Sequence, residues 1–191
     1  GAEQGERQHQ RAPAGPTQGV GALQPRARHE HPVLVAVDAK TGKERWRSDH
    51  AGTKHSSSSP CIFTPKSGSA QVITESFDTG MVANDARTGA ITWQLPGLMT
   101  KRCVSTPFVT PAGLIVAQCG EGRAEIFVQI VRPSADGKSA EKLHEVVRVG
   151  GYVPTPIAIG DLLFLWKENG LVTKLRESIR VRREPLGLQA P

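Results

Sequence analysis

The sequence predicts an all-β protein: an incomplete β-propeller of roughly two full and two partial four-stranded antiparallel blades, preceded by a disordered N-terminal arm. Three observations predict it. Asp38-Ala39-Lys40-Thr41-Gly42-Lys43-Glu44-Arg45-Trp46 returns 47 residues later as Asp85-Ala86-Arg87-Thr88-Gly89-Ala90-Ile91-Thr92-Trp93. A second marker, Ser59-Pro60-Cys61-Ile62, returns in step as Thr106-Pro107-Phe108-Val109 and Thr155-Pro156-Ile157-Ala158. Between the markers lie short runs rich in β-branched residues, with no apolar period of 3.6 over a dozen residues. A period of ~40–50 residues holding four strands is that of a propeller blade.

The elements follow in order. Residues 1–31 are Gly-, Pro-, Arg- and Gln-rich, with Val20 and Leu23 their only large aliphatic side chains. Such a segment buries too little apolar surface to offset its ordering entropy, so it reads as a disordered arm. Val33–Val37 then opens a first unit at its third strand, and the unit ends near residue 48. A second unit spans about 57–96, with strands at Gln71–Thr74 and Met81–Asn84. A third spans about 104–149, with strands at Leu114–Gln118 and Ile126–Val131. A fourth, about 153–175, carries Leu162–Trp166 and Leu171–Leu175. Where the repeat next predicts Asp-x-x-Thr-Gly the chain instead has Arg176-Glu177-Ser178-Ile179-Arg180, so 176–191 reads as an irregular basic tail.

Composition excludes several classes. The 191 residues carry a net charge of +6. The excess sits mostly in the tail, the body is nearly balanced, and aromatic residues do not interleave with basic ones. No nucleic-acid footprint is present. No apolar run approaches the ~20 residues of a membrane-spanning helix. The opening stretch lacks the basic-then-apolar order of a signal peptide. Cys61, Cys103 and Cys119 are too few for a disulfide framework and lack zinc-site spacing.

The repeated Asp-Ala-Lys/Arg-Thr-Gly, followed four residues later by Trp, resembles the repeat of the pyrroloquinoline-quinone (PQQ)-like β-propellers, the BamB-like members included. The resemblance covers about residues 33–175. It implies that Asp38, Thr41, Gly42 and Trp46, with Asp85, Thr88, Gly89 and Trp93, dock adjacent blades. The motif's chemistry agrees: the carboxylate can accept nearby backbone N–H groups, Gly permits positive φ, and the indole offers a large ring with one donor. The third unit departs from it. Ser134-Ala135-Asp136-Gly137-Lys138 holds the motif's place, and Leu143 or His144 stands where Trp is expected. The leader, the departures and the tail together imply a truncated or rearranged copy of a longer protein.

Candidate chemistry is sparse. A quinoprotein dehydrogenase would hold PQQ and Ca²⁺ with oxygen ligands from several blades, often beside adjacent cysteines. The three cysteines here are never adjacent. Asp78-Thr79-Gly80 copies the aspartic-protease tripeptide but sits at a strand-to-strand turn. His29-Glu30-His31 lies in the arm without a third fixed ligand. Ser56–Ser59, beside His55, reads as loop, and Gly120-Glu121-Gly122 as a hairpin turn. Cys103 and Cys119 read as small half-buried thiols, with pairing in an oxidising compartment as the alternative.

The function expected is therefore that of a non-catalytic scaffold. The resemblance implies protein–protein binding, by loops around Lys101, Arg102, Glu121, Arg123, Glu168 and Asn169, and an extracytoplasmic setting. No cofactor, metal or catalytic residue is expected. Two rivals stand beside this reading: a piece of a PQQ- and Ca²⁺-dependent dehydrogenase, or a fragment that self-associates through open blade edges.

Overall fold

The computed structural model describes residues 20–21, 33–50, 52, 56–122 and 125–176. They form four separate antiparallel sheets and no helix. The first sheet is β1 (Val20–Gly21), β2 (Val33–Val37) and β3 (Glu44–Asp49). The second is β4 (Cys61–Phe63), β5 (Gln71–Ser76), β6 (Gly80–Asp85) and β7 (Ile91–Leu95). The third is β8 (Phe108–Val109), β9 (Ile115–Glu121), β10 (Glu125–Pro133) and β11 (Ala140–Val147). The fourth is β12 (Ile157–Ile159), β13 (Leu162–Trp166) and β14 (Val172–Arg176). Spatial order follows chain order in every sheet, as short hairpins dictate.

Part of the leader departs from expectation. β1 lies within the segment read as disordered, and it pairs with β2 as Val20↔Ala36 and Gly21↔Val35. In the second sheet the corresponding pairs are Ile73↔Ala83 and Thr74↔Val82. The leader thus fills the second-strand position of the first blade and covers an edge of β2 that would otherwise stay unpaired. Two residues suffice for this local pairing, which composition averaged over 31 residues does not register. The rest of the leader, His29-Glu30-His31 and the 177–191 tail lie outside the described residues.

A shared irregularity marks the last strand of each of the first three sheets. The ladder shifts by one residue between Ala36 and Val37, between Ala83 and Asn84, and between Ile130 and Val131. The extra residues are Arg45, Thr92 and Leu143. A bulge turns the side chain beside it, and here it aims Trp46 opposite Ala36 and Trp93 opposite Ala83, two small residues that leave room for an indole. The same register pairs His144 with Ile130. Of the two residues that could replace Trp in the third unit, His144 holds its place and is exposed, while Leu143 packs inward.

Two apolar layers join the later sheets. Ile73, Met81, Ala83 and Trp93 of the second sheet pack on Ile115, Ala117, Cys119 and Val131 of the third. Val116, Val128 and Ile130 on the third sheet's other face meet Leu163, Leu165 and Leu175 of the fourth. Period-2 alternation explains how one strand serves both layers: Ile115 and Ala117 point one way, Val116 the other. On the far side of the fourth sheet, Ile157, Ile159 and Trp166 share a face and are 44%, 63% and 38% exposed. Among the described residues, no helix is long and apolar enough to cross a membrane.

Blade junctions and the loop rim

The two copies of the motif build the same turn. Asp38 Oδ1 accepts the Lys40 and Thr41 N–H groups and the Thr41 hydroxyl at 3.0–3.1 Å. Asp85 Oδ1 accepts the same three groups from Arg87 and Thr88 at 2.8–3.0 Å. The backbone bond from Thr41, then the Thr41 hydroxyl and the Lys40 N–H, hold the Asp38 carboxyl below its usual pKa. Burial pushes Asp85 up, but bonds led by the Thr88 N–H outweigh it and leave it lowered. Gly42 and Gly89 close the turns at φ of 69° and 78°.

At the first junction, Trp46 Nε1 donates to the Ala86 carbonyl at 3.1 Å, bridging from β3 to the next blade's motif turn. Its ring lies flat on Gly89, where an added Cβ would sit 2.5 Å from Trp46 Cε3. One glycine therefore supplies both the left-handed backbone and the seat for the neighbouring indole. Beside it, Asn84 Nδ2 donates to Ser48 Oγ and the Gly89 carbonyl, and Asn84 Oδ1 meets His50 Nε2 at 3.1 Å. Burial lowers the His50 pKa, which keeps the ring neutral within this network.

The second junction uses a relay. Trp93 Nε1 donates to Gln71 Oε1 of its own sheet at 3.1 Å, and Gln71 Nε2 donates to the Gly137 carbonyl of the next blade at 2.6 Å. Its acceptor is thus a side-chain amide, where Trp46 uses a backbone carbonyl. The carbonyl of Ala135, which stands where Ala86 stands, is instead taken by Ser67, which donates both its N–H at 3.0 Å and its hydroxyl at 3.4 Å. Gln71, polar at the head of an apolar strand, was the one signal in the sequence for this relay.

The predicted loops meet at one end of the sheets. Lys101 Nζ lies 2.7 Å from Glu125 Oε2 and 3.3 Å from Glu121 Oε2. The bond to Glu125 leads in raising the Lys101 pKa, and Lys101 in turn lowers Glu125. The Arg102 guanidinium donates to Ser57 Oγ at 3.2 Å, and its carbonyl accepts the Gly120 N–H at 2.9 Å. Gly120 also abuts the Tyr152 ring. Tyr152 and Val153 both donate backbone N–H groups to Glu168 Oε1. Asn169 Oδ1 accepts the Leu171 N–H at 3.2 Å, which shapes the β13–β14 hairpin. Arg123 lies outside the described residues. Val153, bonded through its N–H to Glu168, and Leu171 in the same hairpin, neither singled out in the sequence, are exposed.

Equivalent pairings place one polar position beneath this rim. The registers Cys61↔Ile73, Phe108↔Val116 and Ile157↔Phe164 align Glu75 with Gln118 and with Trp166. Gln118 Nε2 donates to the Pro154 carbonyl at 2.9 Å, tying the third sheet to the linker into the fourth. Glu75 is buried between the second and third sheets, with neither carboxyl oxygen in a hydrogen bond of normal geometry. Burial pushes its pKa well up, and the Ser58 hydroxyl offsets this only in part. Burial therefore favours the neutral carboxyl, which is close in shape to the Gln118 amide at the equivalent position of the next blade.

The remaining motifs are structural where they are described. Asp78-Thr79-Gly80 joins β5 to β6, and Gly80 packs directly on the Leu95 carbonyl. Ser56 and Ser58 bond each other at 2.7 Å on the wall of a 60 Å³ cleft between the first two sheets, large enough for a few waters. His50 lines the same cleft with Nε2 already engaged by Asn84, and His55 lies outside the described residues. Among the described residues, no three of His, Cys, Asp and Glu could together hold a metal ion.

Successive antiparallel sheets of three or four strands, with an Asp-x-x-Thr-Gly turn in the second that seats the first sheet's tryptophan, define a propeller of the PQQ-like repeat class. The chain belongs to the family described as outer membrane protein assembly factor BamB, whose pattern matches residues 2–127. The match takes in the leader as well as the motif repeats. Among solved structures, BamB from Moraxella catarrhalis is similar in fold, with a TM-score of 0.51 at 19% identity. The likeness covers 76% of this chain and 40% of that one, so this chain spans less than half of its neighbour. No curated protein matches the chain.

Proposed function

We propose that the chain is a non-catalytic, protein-binding propeller that works outside the cytoplasm in outer-membrane protein assembly. The family's description supports the setting. One observation carries the binding role: loops from three successive units are linked along one rim, through Lys101 to Glu121 and Glu125, Gly120 to Tyr152, and Tyr152 and Val153 to Glu168, with Val153 exposed among them. Apolar anchors ringed by charge are what a protein interface of modest size requires. The charges are tethered to backbone, to the Ser57 hydroxyl or to one another, so the rim presents a fixed shape and loses little entropy on binding. The partner is a protein of the outer-membrane assembly machinery.

A photo-crosslinking amino acid placed singly at Arg102, Glu121 or Glu168, and at Glu141 on the outer strand β11 as control, tests this in cells that express the chain. Capture of one common protein from all three rim positions and not from Glu141 supports the reading. Equal capture from the control, or none from the rim, sinks it. Under the same reading, PQQ with Ca²⁺ leaves the Tm unchanged at saturating concentration, because a ligand of the native state must raise it. A rise would revive the dehydrogenase alternative.

A further inference from the structure

We propose that Cys103 and Cys119 form a redox-modification site: a disulfide that staples the linker before the third blade to that blade's second strand. Both cysteines are free and buried in the layer between the second and third sheets. The linker residue Arg102 and Gly120 of β9 form an antiparallel bridge, closed by the 2.9 Å bond from the Gly120 N–H to the Arg102 carbonyl. One step further along each strand, Cys103 and Cys119 stand directly opposite each other. The bridge is the hydrogen-bonded type of pair, so the next position is the non-bonded type. There Cα atoms approach to about 4.5 Å and side chains lie on one face, within the range a disulfide spans.

The sulfurs also contact the backbone of the same residue, Lys101. Cys103 Sγ lies 3.7 Å from the Lys101 carbonyl, while Cys119 is hydrogen-bonded by the backbone of Lys101 and Thr100. Cys61 packs against the same layer, but from β4 on the other side of the inter-sheet gap. The staple would fix the Lys101–Arg102 loop to the β9–β10 hairpin and so lock two parts of the rim in their present relation.

The oxidant is a thiol-disulfide donor, either a small disulfide or a protein one. A Cys103 or Cys119 thiolate attacks it, forming a mixed disulfide and expelling one donor thiol. The second cysteine then attacks the mixed disulfide, forming the Cys103–Cys119 bond and expelling the other. Two protons and two electrons pass to the donor, which leaves as two thiols. Both cysteines are buried, so attack requires the Arg102 bridge to open first, and oxidation of the folded chain is slow.

Incubation of the full chain with graded mixtures of reduced and oxidised glutathione tests the proposal. Trypsin cuts after Arg102 and Arg123, so one peptide carries both cysteines. The expected result is a peptide lighter by about 2 Da, formed by the folded chain at a glutathione ratio at least about tenfold more reducing than the same chain needs in urea. Oxidation should also raise the Tm by about 5 °C, a rise absent in Cys103→Ala and retained in Cys61→Ala. Equal oxidation in urea, glutathione retained on both cysteines, or a bond that includes Cys61 would each overturn it.

Discussion

Gly89 and Gly42 separate two roles that one turn glycine can hold. Both have positive φ, but only Gly89 supports a neighbouring ring, while an added Cβ at Gly42 meets nothing within 4 Å. Gly42→Ala is therefore expected to cost about 1 kcal/mol, the left-handed penalty alone. Gly89→Ala should cost at least about 2 kcal/mol more, because Trp46 must leave its seat. Urea melts of the two variants check the difference, and equal losses would mean that the indole has another place to go. Glu75 gives a residue-scale prediction about pH. Its folded pKa is raised above the unfolded value, so the protonated form's stability is fully present below the ordinary carboxyl range and lost as pH rises toward the folded pKa. Glu75→Gln keeps the shape and removes the ionisation. The variant should be the more stable protein at pH 8, with the gap closing toward pH 4.5, as read from melts across that range.

At the scale of the element, a one-residue bulge before each motif tryptophan matters more than strand propensity. It sets which side chain of the outer strand reaches the next blade, and it recurs in the third unit where no tryptophan remains. The two tryptophan junctions differ in consequence. At the first, Trp46→Phe removes one bond to the part-buried carbonyl of Ala86 and should cost about 1 kcal/mol. At the second, Trp93→Phe leaves Gln71 Oε1 buried without its donor, so the loss should be larger, about 2 kcal/mol. Trp93→Phe combined with Gln71→Leu tests the relay, since a coupling near zero in that double-mutant cycle would show that the two side chains act independently. This relay was legible only in part. The repeat located both tryptophans and their turns, but the capture of the Ala135 carbonyl by Ser67 joins residues that sequence spacing does not connect.

At the scale of the whole molecule, the fourth sheet carries the clearest consequence. Phe164 holds the repeat position of Ile73 and Val116, which neighbouring sheets cover, yet it stands on the face shared by exposed Ile157, Ile159 and Trp166. An uncovered apolar face of this kind favours association. The isolated chain should therefore run heavier than a monomer in sedimentation at micromolar concentration, and Ile157→Lys with Ile159→Lys should return it to monomer. A wild-type chain that sediments as a monomer throughout would refute this.

By itself the sequence determined the blades, their order and their turns. These depend on local chemistry: alternation along short strands, a carboxylate bonding its own turn, a glycine free to take positive φ. Only the tertiary structure decided which strand the leader supplies, which of Leu143 and His144 takes the tryptophan's place, and that loops distant in the chain share one rim. It also decided that a glutamate in an apolar strand is shut away from water between sheets. Each of these depends on strand register and on what the neighbouring sheet already occupies, and those constraints arise only when separate repeats pack together.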